Sequence, residues 1–401
     1  MCDIDTSISA ATVKKYRLAE YFESNWEAYI SNPHVFVTSE QFKAVNSIMV
    51  CRTAVLGVDE YVCTGCGEVI EIYHNCRNRF CPTCSWNDTR VWAAKIKEQL
   101  MNIPHRHVVF TLPHGFHPLA KSNGKELLNI LLRTASDTLK DWAEHKHQIK
   151  IGIISVLHTA GETKDYHLHV HMIVSWGGIS NETKELITIK GNYVNYKFLQ
   201  EKFRIKFEDE LVSLYDNGRL EHKFKDRSEL LIFLRRINMK NWHIHLEPPM
   251  PTAEAVIRYI GRYSKRACIS ENKITEIAEE YISFRHKDYK TIGLDNKPVE
   301  RVLKLHYKDF FPRLLQHVPF KNFRLVRYYG LYSNKGSIPE EYITKEAEAD
   351  EEQYEWENPF VCNICEKKRE YIQTTFDMRL PQERKGKFDV SIHPSYIYKR
   401  A

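Results

Sequence analysis

Residues 151–175, IGIISVLHTAGETKDYHLHVHMIVS, constrain this chain more than any other stretch. Two β-branched apolar runs, 151–157 and 168–174, flank a polar connection containing Gly161, a pattern that predicts two paired strands. Side chains alternate between the faces of a strand. His167, His169 and His171 therefore project from one face, and Leu168, Val170, Met172 and Val174 from the other, which can enter a core. His158 ends the first strand, and folding back brings it near His169. A lone strand histidine is usually structural. Three on one face, with a fourth across the ladder, crowd imidazoles at a cost if any two protonate. A divalent metal resolves this, with His158, His169 and His171 as the expected ligands and His167 left as a supporting or nucleic-acid-facing residue. A second pair, His243 and His245, lies in a short stretch ending at Glu247 and a proline pair, and could supply one ligand instead.

A chain of 401 residues can bury a sizeable core and is expected to hold two or three domains. No apolar run approaches the roughly 18 residues of a membrane span. The opening MCDIDTSISAATVKK lacks the apolar segment of a signal peptide, so a soluble cytoplasmic protein is expected. Ten cysteines, several of them in Cys-x-x-Cys pairs without an export signal, point to metal rather than disulfides. The net charge of +6 is modest, but Lys and Arg crowd residues 77–106, 235–266 and 321–327, while acids collect at 340–357.

Residues 12–30 have a helical period, with Tyr16, Leu18, Tyr21, Phe22 and Trp26 mostly on one side. A second helix is expected from Thr38, where Thr38 and Gln41 form a capping-box pattern. Next comes CTGCGEVIEIYHNCRNRFCPTC, in which Cys63/Cys66 and Cys81/Cys84 bracket a short strand-like arm. Two such pairs supply the four thiolates of a closed tetrahedral zinc site. Cys76 and His74 lie inside the loop and could substitute for one of them, and Cys51 reads as a buried thiol. Arg77 and Arg79 could grip phosphate; the alternative is a solvated basic loop. Residues 87–101 read as a basic amphipathic helix, 107–112 as a strand, and 126–142, 198–214 and 229–236 as helices. Strand, helix and hairpin in that order suggest an α+β sheet domain.

Thr252, after Pro248, Pro249 and Pro251, can cap a helix reaching about Lys265. Tyr259 and Tyr263 are four apart and share one face of it, surrounded by Arg258, Arg262, Lys265 and Arg266. A tyrosine pair at this spacing is most often packing. A phenol with a pKa near 10 needs help to act as a nucleophile. A metal on two or three histidines can polarise a phosphodiester, and basic residues can hold the flanking phosphates, so metal face and phenol together form a strand-cleaving site. In the tail, 338–357 is an acidic linker by composition, and Cys362/Cys365 is half a zinc site with no later cysteine to complete it.

The chain resembles the rolling-circle HUH transposases with two tyrosines, the insertion-sequence-ninety-one family. The matching pieces are CRTAVLG (51–57), CRNRFCPTC (76–84), HVVFTLPH (107–114), LHTAG (157–161), HLHVHMIV (167–174), YIGRYSKR (259–266), FRHKDY (284–289) and FRLVRYYG (323–330). The resemblance implies a small zinc-binding domain followed by an antiparallel-sheet HUH endonuclease domain. It also implies Tyr259 and Tyr263 as nucleophiles, His169 and His171 as the HUH pair, structural Zn²⁺, and catalytic Mg²⁺ or Mn²⁺. The expected partners are single-stranded DNA at transposon ends and target DNA, in a bacterial, nucleoid-associated protein. His158 matches the third histidine of conjugative relaxases, whereas the pair His243/His245 departs from the pattern. The expected domains are 1–95, helical and zinc-binding; 96–335, endonuclease; and 336–401, acidic linker and tail. The alternatives are a replication initiator or relaxase with the same chemistry, or a zinc-dependent nucleic-acid binder without catalysis.

Overall fold

The structure is a computed structural model describing residues 16–97, 99–238, 242–252, 255–256, 267–293, 295–343 and 359–376. Among these residues the fold is α+β with antiparallel sheets, as the sequence suggests.

The first helices are α1 (Leu18–Ile30) and α2 (Ser39–Met49). Arg17 is extended, so α1 starts later than its apolar period suggests. The capping box of α2 forms as expected, with the Thr38 hydroxyl accepting from the Gln41 N–H and the Gln41 side chain accepting from the Thr38 N–H. A hairpin of β1 (Val58–Cys63) and β2 (Val69–Tyr73) leads to α3 (Pro82–Lys97). The sheet domain follows with β3 (His105–Thr111), α4 (His117–Ser122), α5 (Gly124–His147), β4 (Ile149–Lys150), β5 (Gly152–Ala160) and β6 (Tyr166–Ser175). Then come β7 (Gly177–Ser180), β8 (Leu186–Thr188), α6 (Tyr196–Asp216), α7 (Arg227–Asn238) and β9 (His243–Leu246). The last elements are β10 (Ile274–Ile277), β11 (Tyr281–Ile292), β12 (Pro298–His306), α8 (Tyr307–Leu315), β13 (Val326–Gly330) and β14 (Arg369–Thr375).

The central sheet has the order β13-β5-β6-β3-β9. Strand alternation sorts its residues by face. Phe110, Leu168, Val170 and Met172 are fully buried against α5, α6 and α7, through residues such as Leu127, Leu131, Phe203, Phe207 and Leu230. Burial of each large apolar side chain contributes about 1.5–3 kcal/mol, so this layer fixes the register. The histidines occupy the opposite face, beside a smaller apolar cluster of Trp92, Ile96, Leu100, Ile154, Val156, Ile173 and Val256.

A second core joins distant parts of the chain. Tyr21, Phe22, Trp26 and Tyr29 of α1 surround Phe311 of α8, with ring centroids 5.5, 5.1, 5.9 and 5.2 Å from it. Ile274, Ile282 and Phe284 complete this core together with Phe80, Cys81 and Cys84. At the other end of the chain β14 pairs with β1, giving a sheet of order β14-β1-β2. Packing thus crosses both boundaries expected from sequence, at 95/96 and at 335/336.

The tip of the β5–β6 hairpin is pinned to this second unit. Arg313 reaches Asp165 at 2.9 Å, Gln316 and His317 donate to the Lys164 carbonyl at 3.1 and 3.0 Å, and Lys273 pairs with Glu162 at 3.0 Å. Among the described residues no helix is long and apolar enough to cross a membrane.

Candidate active site

Register places the histidines. His158 lies directly opposite His169 and Val156 opposite His171, so all four side chains share a face. One ring nitrogen from each of His158, His169 and His171 falls within 4.8 Å of the others, a spread that one ion can bridge after small ring rotations. The expected ligand triad is therefore brought together by the fold.

Neighbours orient two of these rings. His169 Nδ1 donates to the His167 carbonyl at 2.8 Å, which leaves Nε2 with its lone pair. His167 thus supports the site through its backbone. His171 Nδ1 lies 2.9 Å from Nε2 of His107 on β3, a residue the sequence reading placed only in a strand. Burial, reinforced by nearby His158, pushes His169 down to about 3 and His171 well below the usual imidazole range. Burial likewise pushes His107 down to about 3. The rings are neutral near pH 7, the state in which imidazole ligates metal.

The pair His243/His245 is on β9, which pairs with β3 rather than with the hairpin. His245 Nε2 contacts Glu247 at 2.8 Å, and neither residue joins the converging group.

Tyr259, Tyr263, Arg258, Arg262, Lys265 and Arg266 lie outside the described residues. The start of their segment is described. Thr252 Oγ1 accepts from the Ala255 N–H at 3.2 Å, which is the expected N-cap, and Ala255 and Val256 are helical. Val256 is fully buried in the cluster containing Val156, which stands opposite His171. Where the chain is described again, the Ala267 N–H donates to Ser85 Oγ at 3.0 Å.

The cysteines converge differently from the expected set of Cys63, Cys66, Cys81 and Cys84. Cys81 and Cys84 close with Cys51 and Cys76, whereas Cys63 and Cys66 face Cys362 and Cys365. The cause is the β1–β2 ladder, unbroken from Val58↔Tyr73 to Val62↔Val69. It carries the Cys63/Cys66 turn to the far tip of a hairpin on the order of 15 Å long, while the chain returns to the base beside Cys51. Cys51, expected as a separate buried thiol, and Cys76, expected only as a substitute, both belong to this converging set. His74 is excluded because its nitrogens engage the Leu56 carbonyl at 3.0 Å and Asp59 at 3.0 Å.

In the first cluster Cys51–Cys84, Cys76–Cys84 and Cys51–Cys81 are separated by 3.6, 3.6 and 3.7 Å between sulfurs. Four thiolates at about 2.3 Å from one zinc stand about 3.8 Å apart, whereas a disulfide needs about 2.05 Å. The thiols are free, and the donor set fits structural zinc. Beside this cluster, Arg79 donates to the Phe323 carbonyl at 2.8 Å, so part of its fork serves tertiary packing. Arg77 has a left-handed backbone, with φ 53°.

Residues 21–112 match the family model for a "Transposase zinc-binding domain", and residues 152–338 match one described as "Putative transposase". A Sinorhizobium fredii protein named "Putative transposase y4qJ" is 30% identical over 326 residues, covering 79% of this chain and 80% of that protein. The transposase for insertion sequence element IS801 of Pseudomonas savastanoi pv. phaseolicola is 29% identical over 321 residues, covering 77% and 74%. No solved structure matches the chain. With both halves matched in order and the relatives covered along most of their length, the chain belongs to the IS91 family of transposases.

Proposed function

We propose that this transposase works by rolling-circle chemistry, nicking and rejoining single-stranded DNA at element ends through a 5′-phosphotyrosine. The observation that carries the reading is the convergence of His158, His169 and His171 on the sheet face where Val256 is buried. Tyr259 and Tyr263 follow Val256 by three and seven residues. At helical spacing, positions 259 and 263 share a face with position 256.

In this reading the three imidazoles hold Mg²⁺ or Mn²⁺, which when bound polarises the scissile phosphodiester. Tyr259 or Tyr263 gives up its phenol proton to solvent and attacks phosphorus as the phenolate. The new Tyr O–P bond forms as the P–O3′ bond breaks, and the departing oxygen takes a proton from solvent to leave a free 3′-OH. The ester energy is retained, so the reverse attack by a 3′-OH rejoins strands without a nucleotide. The second tyrosine lets one site hold a second cleaved end during transfer into target DNA. Arg258, Arg262, Lys265 and Arg266 hold phosphates near the phenols, and Arg77 and Arg79 of the zinc module are further candidates to grip phosphate.

The test is incubation with an element-end oligonucleotide and divalent metal, followed by a denaturing gel. A covalent protein–DNA band is expected, abolished by Tyr259→Phe combined with Tyr263→Phe. His169→Ala with His171→Ala should abolish cleavage yet retain DNA binding. An undiminished adduct in the double-phenylalanine variant would exclude these nucleophiles.

A further inference from the structure

The second cysteine cluster joins residues about three hundred positions apart. Cys63 Sγ is 3.3 Å from Cys365 Sγ, and Cys66 Sγ is 3.5 Å from Cys362 Sγ. The two turns that present these thiols repeat each other bond for bond. The Cys63 N–H donates to the Glu68 carbonyl at 2.8 Å and the Cys362 N–H to the Lys367 carbonyl at 2.9 Å. Gly67 donates back to the Cys63 carbonyl at 3.0 Å, and Glu366 to that of Cys362 at 2.9 Å. In each turn an inner N–H points at the first sulfur, Gly65 to Cys63 and Ile364 to Cys362, both at 3.4 Å. The fifth residue is left-handed in both, Gly67 at φ 74° and Glu366 at φ 58°. Glutamate adopts that conformation at a cost, and its retention here needs a compensating contact.

Besides the cysteines, the turns and their strands are joined by the β1–β14 ladder, by the Thr64 hydroxyl donating to the Lys368 carbonyl at 3.0 Å, and by the Tyr61 ring against Phe360 and Tyr371. In the sheet β14-β1-β2, residues of β2 and β14 are largely exposed, including Val69, Tyr73, Tyr371 and Ile372. The buried members are few: Val58 and Cys63 of β1, Arg369 of β14, and Cys362 of the turn. Arg369 is spent on the Glu68 carboxylate and on the Pro359 and Val361 carbonyls. A three-stranded sheet whose apolar side chains stay this exposed is marginal in water unless something else ties it. Four convergent sulfurs, bound as thiolates, select zinc over harder cations.

We propose that Cys63, Cys66, Cys362 and Cys365 bind a second zinc, and that this ion is the clasp fastening the C-terminal strand β14 to the N-terminal hairpin. Its environment differs from that of the first cluster. Cys66 is exposed, whereas Cys51, Cys81 and Cys84 are buried in the second core. The clasp zinc is therefore the one lost first to a chelator, and its loss releases β14 while both cores persist. The inference stands apart from the cleavage chemistry.

The test counts zinc in full-length protein carrying His169→Ala and His171→Ala, so that the imidazole site does not contribute. Elemental analysis should give two zinc per chain, and one after adding Cys362→Ser with Cys365→Ser. Hydrogen exchange should show β14 unprotected in the serine variant and β6 unchanged. One zinc or none before the serine changes, two after them, or a still-protected β14 overturns the proposal. Should the serine variant fail to fold, stepwise chelation of the parent decides. Loss of β14 protection with the first equivalent released supports the clasp, and loss only with the second overturns it.

Discussion

His107 of β3 and His171 of β6 stand with their rings 15° from parallel and Nε2 to Nδ1 at 2.9 Å, one strand over from the hairpin that carries the converging triad. A hydrogen bond to the far nitrogen of a ligand ring sets its tautomer and aim. His107→Ala is expected to weaken Mn²⁺ binding about 10–100-fold. Calorimetric titration checks this, with His107→Gln expected to recover part of the loss. Unaltered affinity in a folded His107→Ala protein would remove the positioning role.

Acid should destabilise the fold well above the carboxylate range. Burial lowers both His105 and His317 from 6.5 to about 4. Between those values the unfolded chain binds the extra proton, so stability is full above about pH 6.5, falls as pH drops, and levels near pH 4. Each ring contributes at most about 3 kcal/mol to that fall. Denaturant midpoints measured from pH 7.5 to 4 should decline, and less steeply in His317→Gln. A flat profile contradicts the burial argument.

The first zinc cluster should matter to folding more than its size suggests. Cys51, Cys81 and Cys84 are part of the apolar core that includes Phe22 and Phe311. Cys81→Ser is expected to lower zinc content by one and the melting temperature sharply, or to abolish soluble protein. Cys66→Ser, at the exposed thiol of the other cluster, should leave the melt of the second core nearly unchanged. Equal melting losses in the two variants would show that the clusters are not energetically distinct.

Phe311 links the start of the chain to α8. Its removal takes a ring from the centre of four others and should cost about 3–5 kcal/mol. Hydrogen exchange of Phe311→Ala should show α1 and α8 losing protection together while β3 and β6 keep theirs. Loss confined to α8 would mean that α1 is held independently.

What could be read from the sequence was local. The HLHVH alternation is a period-two pattern that only one strand orientation satisfies, so the shared face of His169 and His171 followed without coordinates. The same holds for the Thr38/Gln41 cap, which depends on four consecutive residues, and for the Thr252 cap. Helices ran longer than expected at several ends. α5 begins at Gly124 and continues to His147, where the expected span was 126–142.

Which groups meet across long separations was decided by the tertiary structure. The order β13-β5-β6-β3-β9 brought His107 to His171 and put His243 and His245 beyond β3. The length of one hairpin sent Cys63 and Cys66 to Cys362 and Cys365 instead of to their near neighbours Cys81 and Cys84. A Cys-x-x-Cys pair specifies the kind of ion it prefers from two side chains alone. The other two ligands depend on strand register and loop closure, which are settled by the burial energy of the whole chain.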